Sequence, residues 1–246
     1  MAKKFDNILI TAGTKGIGLA VAKAFANHCD HLWLTYASDH KQADQVASEL
    51  TQMAPQLSVH AVVCDVTDSN SAQELLKEMK AKAFVPDLMI MNAGVTNRKS
   101  PFEITDEEWD AVFQGNVHFP VKVIREIAPI MKSGSAIIFT GSMMAIHPHS
   151  VSLSYGVTKS AVHALVTNLV KHLEPYGIRV VGIAPGFVDT EWQKNKPVEV
   201  RKSIEGKVAS HRFAAPDEIG SAFKMVAENE YFNGDIISLS GGYSYK

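Results

Sequence analysis

The amino-acid sequence predicts an α/β fold, a doubly wound parallel sheet of seven strands with helices on both faces. Three observations predict it. Short apolar runs alternate with longer amphipathic stretches along all 246 residues. The runs are mostly apolar throughout, as strands covered on both faces are. The first run also passes through a glycine-rich turn, TAGTKGIG at 11–18, into a helix-like segment.

In order, the strand candidates are FDNILIT (5–11), HLWLTYA (31–37), LSVHAVVCDV (57–66), DLMIMNAG (87–94), SAIIFTGS (135–142), IRVVGIAPG (178–186) and DIISLSGG (235–242). Helix-like segments lie between them at 16–28, 41–53, 69–82, 105–132, 155–174 and 216–229. Ser69, Thr105 and the Pro216-Asp217-Glu218 opening are start signals, because they satisfy or dispense with a first-turn N–H. No internal repeat, low-complexity tract or linker interrupts the alternation, which predicts one domain over 1–246. Ligands are expected beyond the carboxyl ends of the strands.

Composition narrows the function. Hydrophobic residues make up 46% and charged residues 20%, with a net charge of −2. That balance suits a globular protein and gives no footprint for nucleic acid or a polybasic membrane contact. The opening MAKKFDNILITAG has two lysines but no long apolar stretch, and no run reaches the length of a membrane span. A cytoplasmic protein is expected. Cys29 and Cys64 form no C-x-x-C pair and read as buried, inert thiols in a reducing compartment. His147 and His149 are too few for a zinc site, so no metal is expected. There is no G-x-S-x-G hydrolase turn.

The strand ends carry the chemistry. A glycine turn entering a helix brings backbone N–H groups close to a pyrophosphate, and the helix N-terminus adds favourable partial charge. The fourth run ends in Asn92-Ala93-Gly94, the fifth in Gly141-Ser142 and the sixth in Pro185-Gly186. Beyond Ser142 comes YGVTK, 155–159. Tyr155 and Lys159 share a helix face, so phenol and ammonium are neighbours. Alone, such a pair arises by chance about as often as not; its meaning comes from what surrounds it.

In this order and at these spacings the motifs resemble the short-chain dehydrogenase/reductase family, from first strand to last. Its T-G-x-x-x-G-x-G matches Thr11 to Gly18, its N-A-G Asn92 to Gly94, its Y-x-x-x-K Tyr155 and Lys159, and its P-G Pro185 and Gly186. The resemblance implies a Rossmann-type fold and a catalytic set of Asn116, Ser142, Tyr155 and Lys159. It implies a nicotinamide dinucleotide held by Gly13, Thr14, Lys15, Gly16, Ile17 and Gly18, by Asp65 and Val66, and by Asn92, Ala93 and Gly94. Tyr155, Lys159, Pro185, Gly186, Val188 and Thr190 complete that set. The chain departs from the pattern at Ala12, where the family has its first glycine, at Met91 and at Val181. An alanine costs about 1–2 kcal/mol where φ must be positive and fits where φ is below zero; with Gly16 and Gly18 kept, a slightly altered turn and not a lost site is expected.

Carbonyl reduction needs a hydride and a proton. A neighbouring ammonium favours a phenolate, so Lys159 is expected to lower the pKa of Tyr155, the proton donor. Ser142 would hydrogen-bond the substrate oxygen as charge develops there. The resemblance gives Lys159 the nicotinamide ribose hydroxyls and Asn116 a water chain that resupplies the proton. Met143, Met144 and His147 are candidates for the substrate pocket, the two methionines equally for the core.

The second strand ends Thr35-Tyr36-Ala37-Ser38 without the acid that repels a 2′-phosphate, and Lys15 and Ser38 could read that phosphate. NADP(H) is the expected cofactor, with Asp39 close enough to favour NAD if the turn slips by one. The two long helical segments carry apolar residues on more than one face: Trp109, Val112, Phe113, Val117, Val121 and Ile124, then Val162, Leu165, Val166, Leu169 and Leu173. Such faces need a second partner, and the family resemblance makes a homotetramer the expectation. NAGVT at 92–96 resembles the 3-oxoacyl reductases, which gives an acyl thioester as first substrate and a sugar, polyol or other small ketone as second. An acyl carrier protein would dock near Lys132 or Lys171 and His172, a weak basic patch. A nucleotide-binding protein without turnover is the rival, against which Tyr155 and Lys159 both stand. The stretch 187–215 is the expected substrate lid.

Overall fold

The computed structural model describes residues 5–147 and 152–243. Seven parallel strands form one sheet in the order β3-β2-β1-β4-β5-β6-β7. They are β1 Asn7–Ile10, β2 His31–Tyr36, β3 Ser58–Val63, β4 Leu88–Met91, β5 Ala136–Thr140, β6 Arg179–Pro185 and β7 Ile236–Leu239. Every expected run becomes a strand, trimmed where its ends turn out of the ladder. The order reverses at β1: the chain steps outward to β3, then returns to β4 on the other side. At this switch point a crevice opens above the strand ends.

Alternate strand residues serve opposite faces. Ile8, Ile10, Leu88, Ile90, Ala136 and Ile138 pack with α1 (Gly16–Phe25), α2 (His40–Met53) and α9 (Pro216–Glu228). Leu9, Met89, Met91, Ile137 and Phe139 pack with α3 (Ser71–Ala81), α5 (Phe119–Ile127) and α6 (Leu153–Leu173). Both faces are covered, which is why the runs are apolar without alternation. Cys29 and Cys64 are buried, and burial pushes the Cys64 thiol up to about 12.

The segment 105–132 is not one regular helix. Thr105 caps α4 (Asp106–Phe113) in a capping box with Glu108. A π turn follows at Gln114–His118, then α5 and a 3₁₀ turn at Ala128–Ile130. Pro120 has no N–H to give the Asn116 carbonyl four residues back, so the α ladder opens there. The lid stretch contains two helices that no periodic pattern marked, α7 (Glu191–Lys194) and α8 (Val198–Gly206). α7 is a single turn, too short for an amphipathic signal.

Candidate active site

The glycine turn keeps a left-handed residue at Ala12, with φ 51°. The position therefore needs the positive φ at which an alanine is strained, not the negative φ that would have suited it. Thr35 and Asn92 hold the conformation: the Ala12 N–H donates to Thr35 Oγ1 at 3.0 Å, and Asn92 Nδ2 donates to the Thr11 and Ala12 carbonyls at 3.1 and 3.3 Å. A Cβ at Gly18 would collide with the Ala12 carbonyl oxygen. No side chain caps the N-terminus of α1 and its first turn has no acid. Its N–H groups are thus available to an anion.

A cleft runs from this turn along the strand ends to α6. Lys15, Gly16, Ile17, Asn92, Gly94, Ser142, Tyr155, Lys159, Pro185, Gly186, Val188 and Thr190 line it. Gly13, Thr14, Gly18 and Ala93 stand behind it. Gly13 N–H donates to the Thr35 carbonyl at 2.9 Å, and Ala93 N–H to Thr11 Oγ1 at 2.9 Å. Ser38, Asp65 and Val66 lie outside it, at the ends of β2 and β3. The cleft also takes in Thr140, Trp192 and Gln193, which the motifs do not mark as site residues. Gln193 Oε1 is buried with no hydrogen-bond partner. The uncapped helix start and the close-packed glycine turn fit a dinucleotide.

The catalytic candidates converge at the inner end of the cleft. Ser142 follows β5, and its N–H donates to His163 Nε2 at 3.2 Å. Its Oγ accepts from Met144 N–H at 3.1 Å. Gly141 makes room, because a Cβ there would strike His163 Nε2. His163 was missed in the sequence, yet it stands four residues past Lys159 on the same helix face. Tyr155 sits in the first turn of α6, where Ser152 accepts its N–H at 3.3 Å as the cap. Lys159 Nζ donates to the Thr140 carbonyl at 2.6 Å and lies 5.6 Å from the centre of the Tyr155 ring. Asn116, in the π turn, accepts from Val95 N–H at 2.7 Å and donates to Val95 O and Thr158 Oγ1, each at 2.9 Å. Its side chain pins the loop after β4 to α6.

The expected lowering of the Tyr155 pKa is not what the site does. Burial pushes Tyr155 up to about 12, with a hydrogen bond from Ser142 pulling the other way. Burial pushes Lys159 down to about 8. Desolvation outweighs the ammonium, whose Nζ lies 5.6 Å from the centre of the Tyr155 ring. Burial and the charge of Lys159 push His163 down to about 4, which leaves its ring neutral and able to accept the Ser142 N–H.

A second cavity of about 490 Å³ shares Ser142, Tyr155, Pro185, Gly186, Trp192 and Gln193 with the cleft. Met143, Met144 and His147 line it, and Met143 is also buried. The second imidazole of the histidine pair, His149, lies outside the described residues. The Trp192 ring stands 5.8 Å from the Tyr155 ring, edge to face.

A family model described as enoyl-(acyl carrier protein) reductase matches residues 11–244. Among curated relatives, a 3alpha-hydroxysteroid dehydrogenase of Mediterraneibacter gnavus is 27% identical over 95% of this chain and 94% of its own. The 3-oxoacyl-[acyl-carrier-protein] reductase FabG of Thermotoga maritima is 25% identical over 95% and 96%. A short chain dehydrogenase from Burkholderia cenocepacia, solved in complex with NADP, has the same fold: TM-score 0.89 at 22% identity over 99% of this chain and 100% of that one. The chain belongs to the short-chain dehydrogenase/reductase family of oxidoreductases, which use a nicotinamide cofactor.

Proposed function

We propose that the protein is an NADPH-dependent carbonyl reductase that converts a 3-oxoacyl thioester to the 3-hydroxyacyl product, a step of fatty acid biosynthesis. One observation carries the reading: Ser142 and Tyr155 stand where the dinucleotide cleft meets the 490 Å³ cavity, with Lys159 buried beside them. The cofactor supplies the hydride. Ser142 holds the substrate oxygen, and Tyr155, kept protonated by burial, gives that oxygen its proton. Lys159 spends one of its three N–H donors on Thr140 and has two left for ribose hydroxyls. A cavity of about 10 Å³ lined by Asn116 and Lys159, room for one water, supports the proton-resupply role of Asn116.

Lys15 and Ser38 read the 2′-phosphate. Asp39 is turned away to cap α2, accepting from Gln42 N–H at 3.0 Å, which removes the carboxylate that would favour NAD. Met143, Met144 and Trp192 suit an acyl chain. For an acyl carrier protein as donor the surface offers little, because Lys132 pairs with Asp6 and Asp87 and Lys171 with Glu174. The unpartnered Gln193 Oε1 favours a sugar or polyol hydroxyl as the second reading.

Residues 187–215 act as the lid of a single-domain enzyme. Val112, Ile124, Val162, Val166 and Leu173 turn out to be core. Trp109, Phe113, Val117, Val121, Leu165 and Leu169 remain partly exposed and are the faces of the proposed homotetramer. Among the described residues no helix is long and apolar enough to cross a membrane; the cytoplasm is the proposed location. NADPH oxidation measured side by side with an acetoacetyl thioester and a panel of keto-sugars tests the reading. Turnover of the thioester, with NADPH preferred to NADH at least tenfold, is expected. Turnover of a keto-sugar alone transfers the site to the second reading.

A further inference from the structure

We propose that the substrate of this enzyme carries an anionic oxygen group, a carboxylate or a phosphate, away from its reacting carbonyl, and that Arg98, Lys196 and Lys207 receive it. The inference rests on the carbonyl-reductase reading of the same site and names the substrate class. The three cations come from separate segments: the loop after β4, the link between α7 and α8, and the C-terminal end of α8. All three line the cavity that contains Ser142 and Tyr155. None has a carboxylate within salt-bridge distance among the described residues. Three other cations of the lid are neutralised: Lys194 by Glu191, Arg201 by Asp189 at 3.1 Å and Arg212 by Glu218 at 2.6 Å. Lys202 stands exposed outside the cavity.

Lys196 is half-buried, and both its burial and the neighbouring charge of Arg98 act against its protonation. Two cations held together, one of them partly stripped of water, are unfavourable until an anion joins them. Among the described residues Glu199 is the only carboxylate on the cavity wall, against three cations. The same wall holds Ser142 and Tyr155, the reacting groups, and the apolar surface of Met143, Met144, Phe187, Val200 and Ile204. A ketone with an apolar body and a charged tail matches that set of surfaces. Arg98 offers the planar fork suited to a carboxylate or phosphate, and the lysines add point charges.

The test uses three matched pairs with NADPH: acetoacetyl-coenzyme A against acetoacetyl-N-acetylcysteamine, dihydroxyacetone phosphate against dihydroxyacetone, and 4-oxopentanoate against its methyl ester. In at least one pair the anionic member should have a kcat/KM about tenfold higher or more. The advantage should lie in KM, shrink with added salt and vanish in an Arg98→Gln/Lys196→Gln double variant, while Lys202→Gln keeps it. The responding pair tells phosphate from carboxylate. Neutral members that match their anionic partners, or an advantage that survives the double variant, overturn the proposal while leaving the reductase reading intact. Reduction of no member of any pair removes the reductase reading instead. Calorimetry with 4-oxopentanoate and dihydroxyacetone phosphate then decides the anion site alone: saturable binding lost in the double variant supports it, and no binding ends it.

Discussion

Asn116, Lys159 and Ser142 are 2%, 3% and 8% exposed, whereas Trp192, which shares the cleft with Lys159 and Ser142, is 44% exposed. The first group hangs from β5, α6 and the π turn, and the sheet register and buried hydrogen bonds fix each member. The second belongs to a lid whose short helices are tied down by the surface pairs Arg201–Asp189 and Arg212–Glu218, each worth little in water. Fewer of its residues reach the core: Val188, Ile204, Val208 and Phe213 are buried, and the Val188–Ala214 bridge and the Ser210 N–H donating to Gly241 O at 3.0 Å join it to the rest of the fold. The contrast separates two tasks. Proton and charge handling need positions held to fractions of an ångström, and substrate choice sits on a wall that can change without disturbing them.

If the division is right, changes to the rigid group should act on turnover and changes to the lid on selectivity. The largest effect is expected from Tyr155→Phe: turnover falls at least about a hundredfold, the low end for a lost general acid, while NADPH binding by calorimetry stays near that of the parent. Turnover within threefold of the parent would remove Tyr155 from its role. Next is pH. Lys159 is pushed down to about 8, so its ammonium is present below that value and lost above it. The kcat/KM for reduction should be flat below about pH 8 and fall about tenfold per unit above. Lys159→Met should abolish the inflection, and a flat profile to pH 9.5 in the parent would assign the lysine no charge-dependent part.

A smaller effect is expected at the lid. Trp192→Ala should raise KM for a long ketone roughly tenfold, the loss of one large apolar contact, and leave kcat for a small ketone within about threefold. A collapse of kcat for every substrate would place Trp192 with the rigid group and break the comparison. The smallest change is Ala12→Gly. It relieves about 1–2 kcal/mol of left-handed strain but gives back about 0.4–1 kcal/mol of unfolded-chain entropy. A rise in denaturation midpoint worth up to about 1.6 kcal/mol is therefore expected, and a drop would mean that Ala12 is not strained.

The sequence by itself determined the sheet, its seven strands and the five helices α1, α2, α3, α6 and α9, because each rests on local periodicity and turn chemistry; it also marked 105–132 as helical but not the π turn that divides it. It also determined the order of Ser142, Tyr155 and Lys159 along strand ends and one helix face, since spacing dictates who shares a face. Three things were decided only by tertiary structure. Ala12 stays left-handed because Thr35 and Asn92, distant in the chain, hold its N–H and carbonyl. Tyr155 is pushed up and not down because the depth of burial, which no motif records, outweighs a nearby charge. Gln193 and the Arg98–Lys196 pair reach the cavity because packing gathers segments that no pattern links. Local sequence fixes backbone periodicity, whereas desolvation and the meeting of distant side chains exist only once the chain has closed around them.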